Sequence, residues 1–353
     1  MKINIVLSVL ITFTVCPMAH AVSPAPDGGY PGGNTAEGQQ ALFRLTTGIA
    51  NTAVGLNALH DHTTGGFNVA IGSSALASNT TGNFNMAIGT QALTNNIANY
   101  NLAIGFRVGF MNTTGNHLTG IGAGALRNNT TARFITAIGA DALRENTSGE
   151  ENTAIGAEAL RSNTRGGQNT ATGFEALFSN TTGEANVAAG VFALFNNTDG
   201  SNNTATGPEA LFTNRTGENN TATGAQALFS NDGDPNNEEA SDNSAFGSAA
   251  LFSNTAGEAN SAFGSRALIS NETGSFNTAV GHEALLNNSN GRDNTGIGLS
   301  ALANNTSGFS NTAIGAQALI NCNTGGDNTV IGAFSGFKCN NSKQCYLYWR
   351  HWR

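Results

Sequence analysis

His60-Asp61-His62 is the one compact polar cluster in this chain that could ligate a metal. Zinc sites draw on three or four convergent ligands. Two imidazoles at i, i+2 with a single carboxylate fall short of that, and the cluster reads as a solvent-facing turn. A second candidate lies in "NDGDPNNEEASD", residues 231–242, where Asp232, Asp234, Asn236 and Glu238 alternate as the oxygen ligands of a calcium loop do. The glycine expected after the third ligand is missing, so a solvated acidic bulge stands beside calcium as the plainer reading. Cys322 and Cys339 are 17 residues apart, a spacing that acquires meaning below. No G-x-S-x-G elbow, phosphate-binding loop or C-x-x-C occurs in the sequence. The expectation is a protein that is not an enzyme, with no cofactor and no resident metal.

What must position these residues is a repeat. "NTAIGAEALRSNTRGGQ" fills residues 152–168 and is followed at once by "NTATGFEALFSNTTGEA" and "NVAAGVFALFNNTDGSN". Copies start at 34, 51, 68, 85, 101 and onward to 328, every 17 residues except for a step of 16 after 85 and of 23 after 220. The fifth position is glycine in every copy, as at Gly55, Gly72, Gly89, Gly156, Gly173, Gly281 and Gly315. A glycine held at one phase implies positive φ or an approach too close for a Cβ. The third position is nearly always alanine and the eighth and ninth are usually Ala-Leu, as at Ala154 and Ala159-Leu160. "T-A-I-G" is short, alternating and β-branched, so it reads as a strand, and "TTG" or "TSG" near the end of a copy reads as a turn. "GxxAL" reads either as a second short strand entered through a glycine turn or as a single helical turn, because glycine, alanine, leucine and asparagine at positions 5, 8, 9 and 12 also trace a helix face.

One strand and one turn per copy, in register, define the expected fold class: all-β, a parallel β-solenoid or β-roll of about 17-residue coils. Energetics require the copies to stack. A coil is expected to bury one Leu and one Ile, worth roughly 1.5–3 kcal/mol each, while ordering its backbone costs about 1–2 kcal/mol per residue. Stacking would also align the first-position asparagines, such as Asn152, Asn169 and Asn186, into an amide ladder. At about 4.8 Å per coil the rod would be roughly 85 Å long. Cys322 and Cys339 share a phase, so adjacent coils would bring them within disulfide range, with Cys345 as the alternative partner or an unpaired thiol. The alanine column at position 3 suits tight packing within one chain and, equally, close contact between chains.

Composition agrees. Only 11% of the 353 residues are charged and only 6 are proline, against 45 glycines, which is not the charge-rich, proline-rich profile of a disordered chain. The net charge is −8 and no basic stripe runs along the sequence, so nucleic acid is not an expected partner. Residues 1–21, "MKINIVLSVLITFTVCPMAHA", carry Lys2, an apolar run from Ile3 to Val15 and an Ala19-His20-Ala21 cleavage site, the layout of a secretory signal. A lipoprotein signal at Cys16 and a buried N-terminal strand are the alternatives. The expected organisation is a signal peptide at 1–21, a linker at 22–33, the solenoid at 34–337 and a tail at 338–353. The mature chain is expected outside the cell or on its surface.

The tenth position is the candidate binding stripe. It holds Arg127, Arg144 and Arg161, then Phe178, Phe195, Phe212, Phe229 and, past the insertion, Phe252. A column that accepts arginine is expected to be exposed, and exposed aromatics in a row mark binding. The alternative turns the phenylalanines inward and lets the arginines reach outward.

"NTAIGAEAL", "NTAVGHEAL" and "NTAIGAQAL" resemble the head repeats of trimeric autotransporter adhesins, the YadA-like heads, over about residues 34–337. That resemblance implies a left-handed parallel β-roll, a homotrimer, and attachment to a host surface or an extracellular-matrix protein. The period here is longer than the family's usual repeat. The family's outer-membrane anchor needs several amphipathic strands of about 9–11 residues. Only "FKCNNSKQCYLYWRHWR" follows Gly336, so no membrane anchor is expected within the sequence. Similar Asn/Thr/Gly repeats occur in phage and bacterial fibre shafts, which makes a structural fibre the alternative function. An ice-binding solenoid is a third reading, from "TAT" at 170–172, 204–206 and 221–223, interrupted by Val187-Ala188-Ala189.

Overall fold

The computed structural model describes residues 30–232 and 240–336, and the backbone of 346–348. The fold is a parallel β-solenoid. Strand β1 is Thr35–Glu37, β2 is Thr52–Val54, and one strand per coil follows up to β18 at Thr329–Ile331 and β19 at Tyr346–Tyr348. Each strand pairs in parallel with those of the coils before and after it, offset by one coil: Thr153 faces Thr170 and Ala154 faces Ala171. The short step is absorbed without loss of phase, since Met86 faces Leu102. So is the insertion, since Thr221 faces Ser244. The ladder runs on into the segment expected to be a tail, with Tyr346 opposite Thr329. At the other end Tyr30 bridges Asn34 and Ala50 N–H donates to Gly32 O, so residues 30–33 belong to the first coil rather than to a linker.

Both open readings of "GxxAL" are corrected. No helix occurs among the described residues, and the segment is a turn with no strand in it. Its seventh and ninth residues lie in the left-handed region, as at Glu158 (φ 59°) and Leu160 (φ 52°). Left-handed residues set between right-handed or extended ones break the strict alternation of a strand, so consecutive side chains can point the same way. Ala159 and Leu160 are accordingly both 0% exposed. Each such residue costs roughly 1–2 kcal/mol. The backbone bonds that form in return run to both neighbouring coils: Glu158 N–H reaches Ala140 O at 2.8 Å and Leu160 N–H reaches Ala176 O at 3.0 Å.

The fifth-position glycine meets both demands inferred for it. Gly156 has φ 141°, and a Cβ there would lie 2.2 Å from Gly173 O.

The core is one leucine wide. Alanines at positions 3 and 8 and leucine at position 9 are buried coil after coil, which places the position-3 column inside its own chain. Two amide ladders complete the interior. At position 1, Asn169 N–H donates to Asn152 Oδ1 at 2.9 Å while its Nδ2 donates to Gly183 O at 2.9 Å. At position 12, Asn163 Nδ2 donates to Asn146 Oδ1 at 2.8 Å and to Gly166 O at 2.9 Å. An unpaired buried amide costs about 1–3 kcal/mol, so these columns depend on their neighbours as fully as the leucines do. Where Leu118 and Ile135 replace the first-position amide they too are buried, and the strand there lengthens to four residues.

Candidate binding surface

The three-residue strand buries only its middle residue, so positions 2 and 4 point outward along the rod, and the position-4 Ile expected in the core lies outside it. Position 17, the left-handed residue just before each copy, stands beside them. In the N-terminal third this corner carries Phe67, Phe84, Tyr100, His117 and Phe134, with φ between 56° and 60°. Because every coil repeats the same backbone, the rings stack in one ladder. Centroids are 5.1 Å apart for Phe67–Phe84, 5.2 Å for Phe84–Tyr100 and Tyr100–His117, and 5.1 Å for His117–Phe134. Half of each phenylalanine and of the tyrosine remains in solvent, 51%, 49%, 52% and 53% along the ladder. Beside it, Phe84, Met86, Tyr100, Leu102, His117 and Leu118 line a shallow groove. One column further, position 4 presents Val54, Ile71 and Ile155 to solvent, with Ile88, Ile104, Ile121 and Ile138 half-buried between them. Residues 67–155 thus set three adjacent columns on one face: the ring ladder, the aliphatic column at position 4 and, at position 2, Val69, Met86 and Leu102 followed by Thr119, Thr136 and Thr153. Patches of this kind mark contact sites.

The sequence reading missed this face because it sought a stripe within the constant half of the repeat. Position 17 is among the most variable columns, and its aromatics sit in five consecutive copies and once more at Phe276. The available signal was aromatic recurrence at the coil period over residues 67–134.

The expected stripe at position 10 is built differently from either reading. Arg127, Arg144, Arg161, Phe178, Phe195, Phe212, Phe229 and Phe252 are all half-buried, neither free in solvent nor turned into the core. The core place belongs to the leucine at position 9. The phenylalanines lie against the outer wall, stacked at 5.2, 5.3, 5.1 and 5.0 Å, and their faces are taken up by one another. Arg161 extends the stack, its guanidinium 5.5 Å from the Phe178 ring centre. Arg144 pairs with Asp141 and Glu145, and Arg161 with Glu158. Phe192, at position 7, packs edge-on against Phe195.

The polar cluster divides. His60 stacks on Phe43 and its Nδ1 meets Asp61 at 2.8 Å, while Arg44 approaches the same carboxylate at 3.3 Å. His62 is not on a solvent-facing turn. It occupies position 12, is 0% exposed, and faces Asn79 O and Gly65 O at 2.9 and 2.8 Å, in the place of a ladder asparagine. The two imidazoles therefore serve different faces and do not converge. Of the calcium candidates, Asp232 takes two bonds from Arg215 at 2.7 and 2.8 Å; Asp234, Asn236 and Glu238 lie outside the described residues, as does the signal segment 1–21. Cys322 is buried at position 12, and Cys339 and Cys345 also lie outside the described residues.

Among the described residues no helix is long and apolar enough to cross a membrane. Neither a protein-family model nor a curated protein matches the chain.

Proposed function

We propose that the chain is an adhesin-like attachment rod, exported to the cell surface or beyond it, that holds a host surface or matrix protein through columns of side chains and performs no catalysis. The observation that carries this reading is the apolar face of residues 67–155, whose rings stack on one another along the rod yet keep about half of their surface in solvent. A shaft that only holds two other modules apart would have no use for such a face. On this reading a homotrimer assembles through outer columns, because the position-3 alanines are spent on each chain's own core.

The test is a pull-down of the full-length mature chain against matrix proteins and host-cell surfaces, with light scattering for its mass. A quadruple variant, Phe67→Ser with Phe84→Ser, Tyr100→Ser and Phe134→Ser, should lose capture at least about tenfold, equivalent to 1.4 kcal/mol, while keeping its β-sheet spectrum. Undiminished capture by that folded variant would overturn the assignment of the face.

A further inference from the structure

The position-12 ladder carries a pattern that the coil itself does not need. Asn79-Thr80-Thr81, Asn112-Thr113-Thr114, Asn129-Thr130-Thr131, Asn146-Thr147-Ser148, Asn180-Thr181-Thr182 and Asn271-Glu272-Thr273 are all N-x-S/T sequons, the acceptor sequence for N-linked glycosylation. In that reaction the asparagine Nδ2 bonds to the anomeric carbon of a lipid-linked oligosaccharide. The lipid pyrophosphate leaves and Nδ2 loses one proton.

In the fold all six of those asparagines are 0% exposed. Asn146 Nδ2 spends its hydrogens on Asn129 Oδ1 at 3.0 Å and Gly149 O at 3.1 Å, and Asn180 Nδ2 on Asn163 Oδ1 at 2.8 Å and Gly183 O at 3.0 Å. The surroundings are filled as well: even a Cβ on Gly149 would lie 2.8 Å from Asn146 Oδ1 and 2.2 Å from Gly166 O. A sugar has no place there. Asn214 and Asn305, also in sequons, are buried the same way. Other sequons among the described residues lie on the outside of the rod. They place Asn202 and Asn219 at position 17, and Asn287 and Asn304 at position 11, all exposed, with Asn128 and Asn196 half-buried at position 11.

Glycan transfer acts on the extended chain before it folds, so later burial protects nothing. One bulky glycan on the ladder would force adjacent coils apart, and coils that contact only their neighbours lose stability on both sides of the break. We propose that this chain folds only where N-linked glycan transfer does not operate, and that Asn202, Asn219, Asn287 and Asn304 are the acceptors its surface tolerates. The export required by the attachment reading then follows a route that bypasses a glycosylating lumen. That consequence rests on the attachment reading; the folding outcome rests on the ladder alone.

The test compares the full-length mature chain made in the bacterial cytoplasm with the same chain secreted from yeast behind a yeast signal peptide. A variant replaces each position-14 hydroxyl with alanine (Thr81→Ala, Thr114→Ala, Thr131→Ala, Ser148→Ala, Thr182→Ala, Thr216→Ala, Thr273→Ala and Ser307→Ala), which removes the buried sequons and keeps every ladder asparagine. From yeast the unaltered chain should carry glycans at position 12 by peptide mass mapping and be retained or protease-sensitive. The alanine variant should be secreted as a protease-resistant rod at a yield at least about tenfold higher, with glycans confined to the outer sites. Secretion of the unaltered chain as a protease-resistant rod, its position-12 sites occupied or skipped, would overturn the proposal. So would an alanine variant that folds in bacteria yet still fails from yeast. Capture of a matrix partner by the bacterial product is read separately, so the attachment reading can fail without this one.

Discussion

The coils of residues 67–155 and those of residues 169–232 share most of their interior columns and differ outside; only the first region sets Leu118 and Ile135 in the first asparagine column and Val108-Gly109 in place of Ala-Leu. Leu76 and Leu194 are equally buried, as are Ala87 and Ala205. The strand registers are alike too, Ala70 opposite Ala87 and Ala188 opposite Ala205. Outside, the first region sets aromatics at position 17 and isoleucines at position 4. The second has Ala185, Asn202 and Asn219 at position 17, and Thr172, Ala189, Thr206 and Thr223 at position 4. There Phe178, Phe195, Phe212 and Phe229 stand at position 10 and lie half-buried, while Phe174 at position 6 stays exposed. A core of Ala, Leu, Gly and Asn columns thus fixes the backbone, and the remaining columns vary over it without altering it. On the attachment reading, function belongs to the columns that change between regions, and stability to those that do not.

If the interiors are equivalent, damage to them should cost the same in either region, and this is the largest effect expected. Gly139→Ala and Gly190→Ala each force a Cβ to within 2.3 and 2.5 Å of the next coil's carbonyl oxygen, at φ 139° and 146°. Each should destabilise the rod by about 4–5 kcal/mol, the range of severe core lesions. Leu93→Ala and Leu194→Ala should follow at about 2–5 kcal/mol. Amide hydrogen exchange, read coil by coil, checks both pairs. A difference of more than about 2 kcal/mol between the members of a pair would break the equivalence.

How much of this was legible beforehand follows the same division. The columns that never change announced the coil, its strand and the glycine corner, because a requirement imposed by the neighbouring coil leaves the same residue at the same phase. The first amide ladder was legible for that reason. The Ala-Leu turn was not. Sequence periodicity offers only strand and helix templates, whereas Glu158 and Leu160 sit in the left-handed region, where no periodic template applies. His62 misled for a related reason: beside His60 and Asp61 it looks like a member of a polar loop, and only alignment to position 12 shows it standing in a buried asparagine's place. The candidate face was hidden because five aromatics at variable positions carry no local pattern.

The exteriors should respond unequally, with effects of intermediate size. Replacing Phe195 and Phe212 with serine removes stacked, half-buried rings and should cost about 0.5–1.5 kcal/mol for the lost pair beyond the area exposed. Replacing Phe84 and Tyr100 with serine, where half of each ring is already in water, should cost less in unfolding experiments and more in partner capture. An equal stability loss in the two variants would show that the two ladders are packed alike and erase the distinction between a supporting column and a contacting one.

The smallest effect tests the boundary between the regions, where the position-7 column passes from Asp141, Glu158 and Glu175 to Phe192. Burial pushes the Glu175 carboxyl above the usual carboxylate range; the neighbouring Glu158 carboxylate adds to this, and Arg161 opposes it. A carboxyl whose folded pKa is raised binds its proton more tightly in the folded chain than in the unfolded one. Stability must therefore fall as pH rises from the ordinary carboxylate value through the raised one, and stay lowered above both. Glu175→Gln keeps the shape of the protonated acid and cannot ionise. Against the natural chain it should be indistinguishable below the ordinary carboxylate pKa and slightly more stable at neutral pH, in chemical denaturation followed across that range. A variant less stable at neutral pH would mean that the Arg161 attraction outweighs burial, and that the charged column supports the boundary instead of straining it.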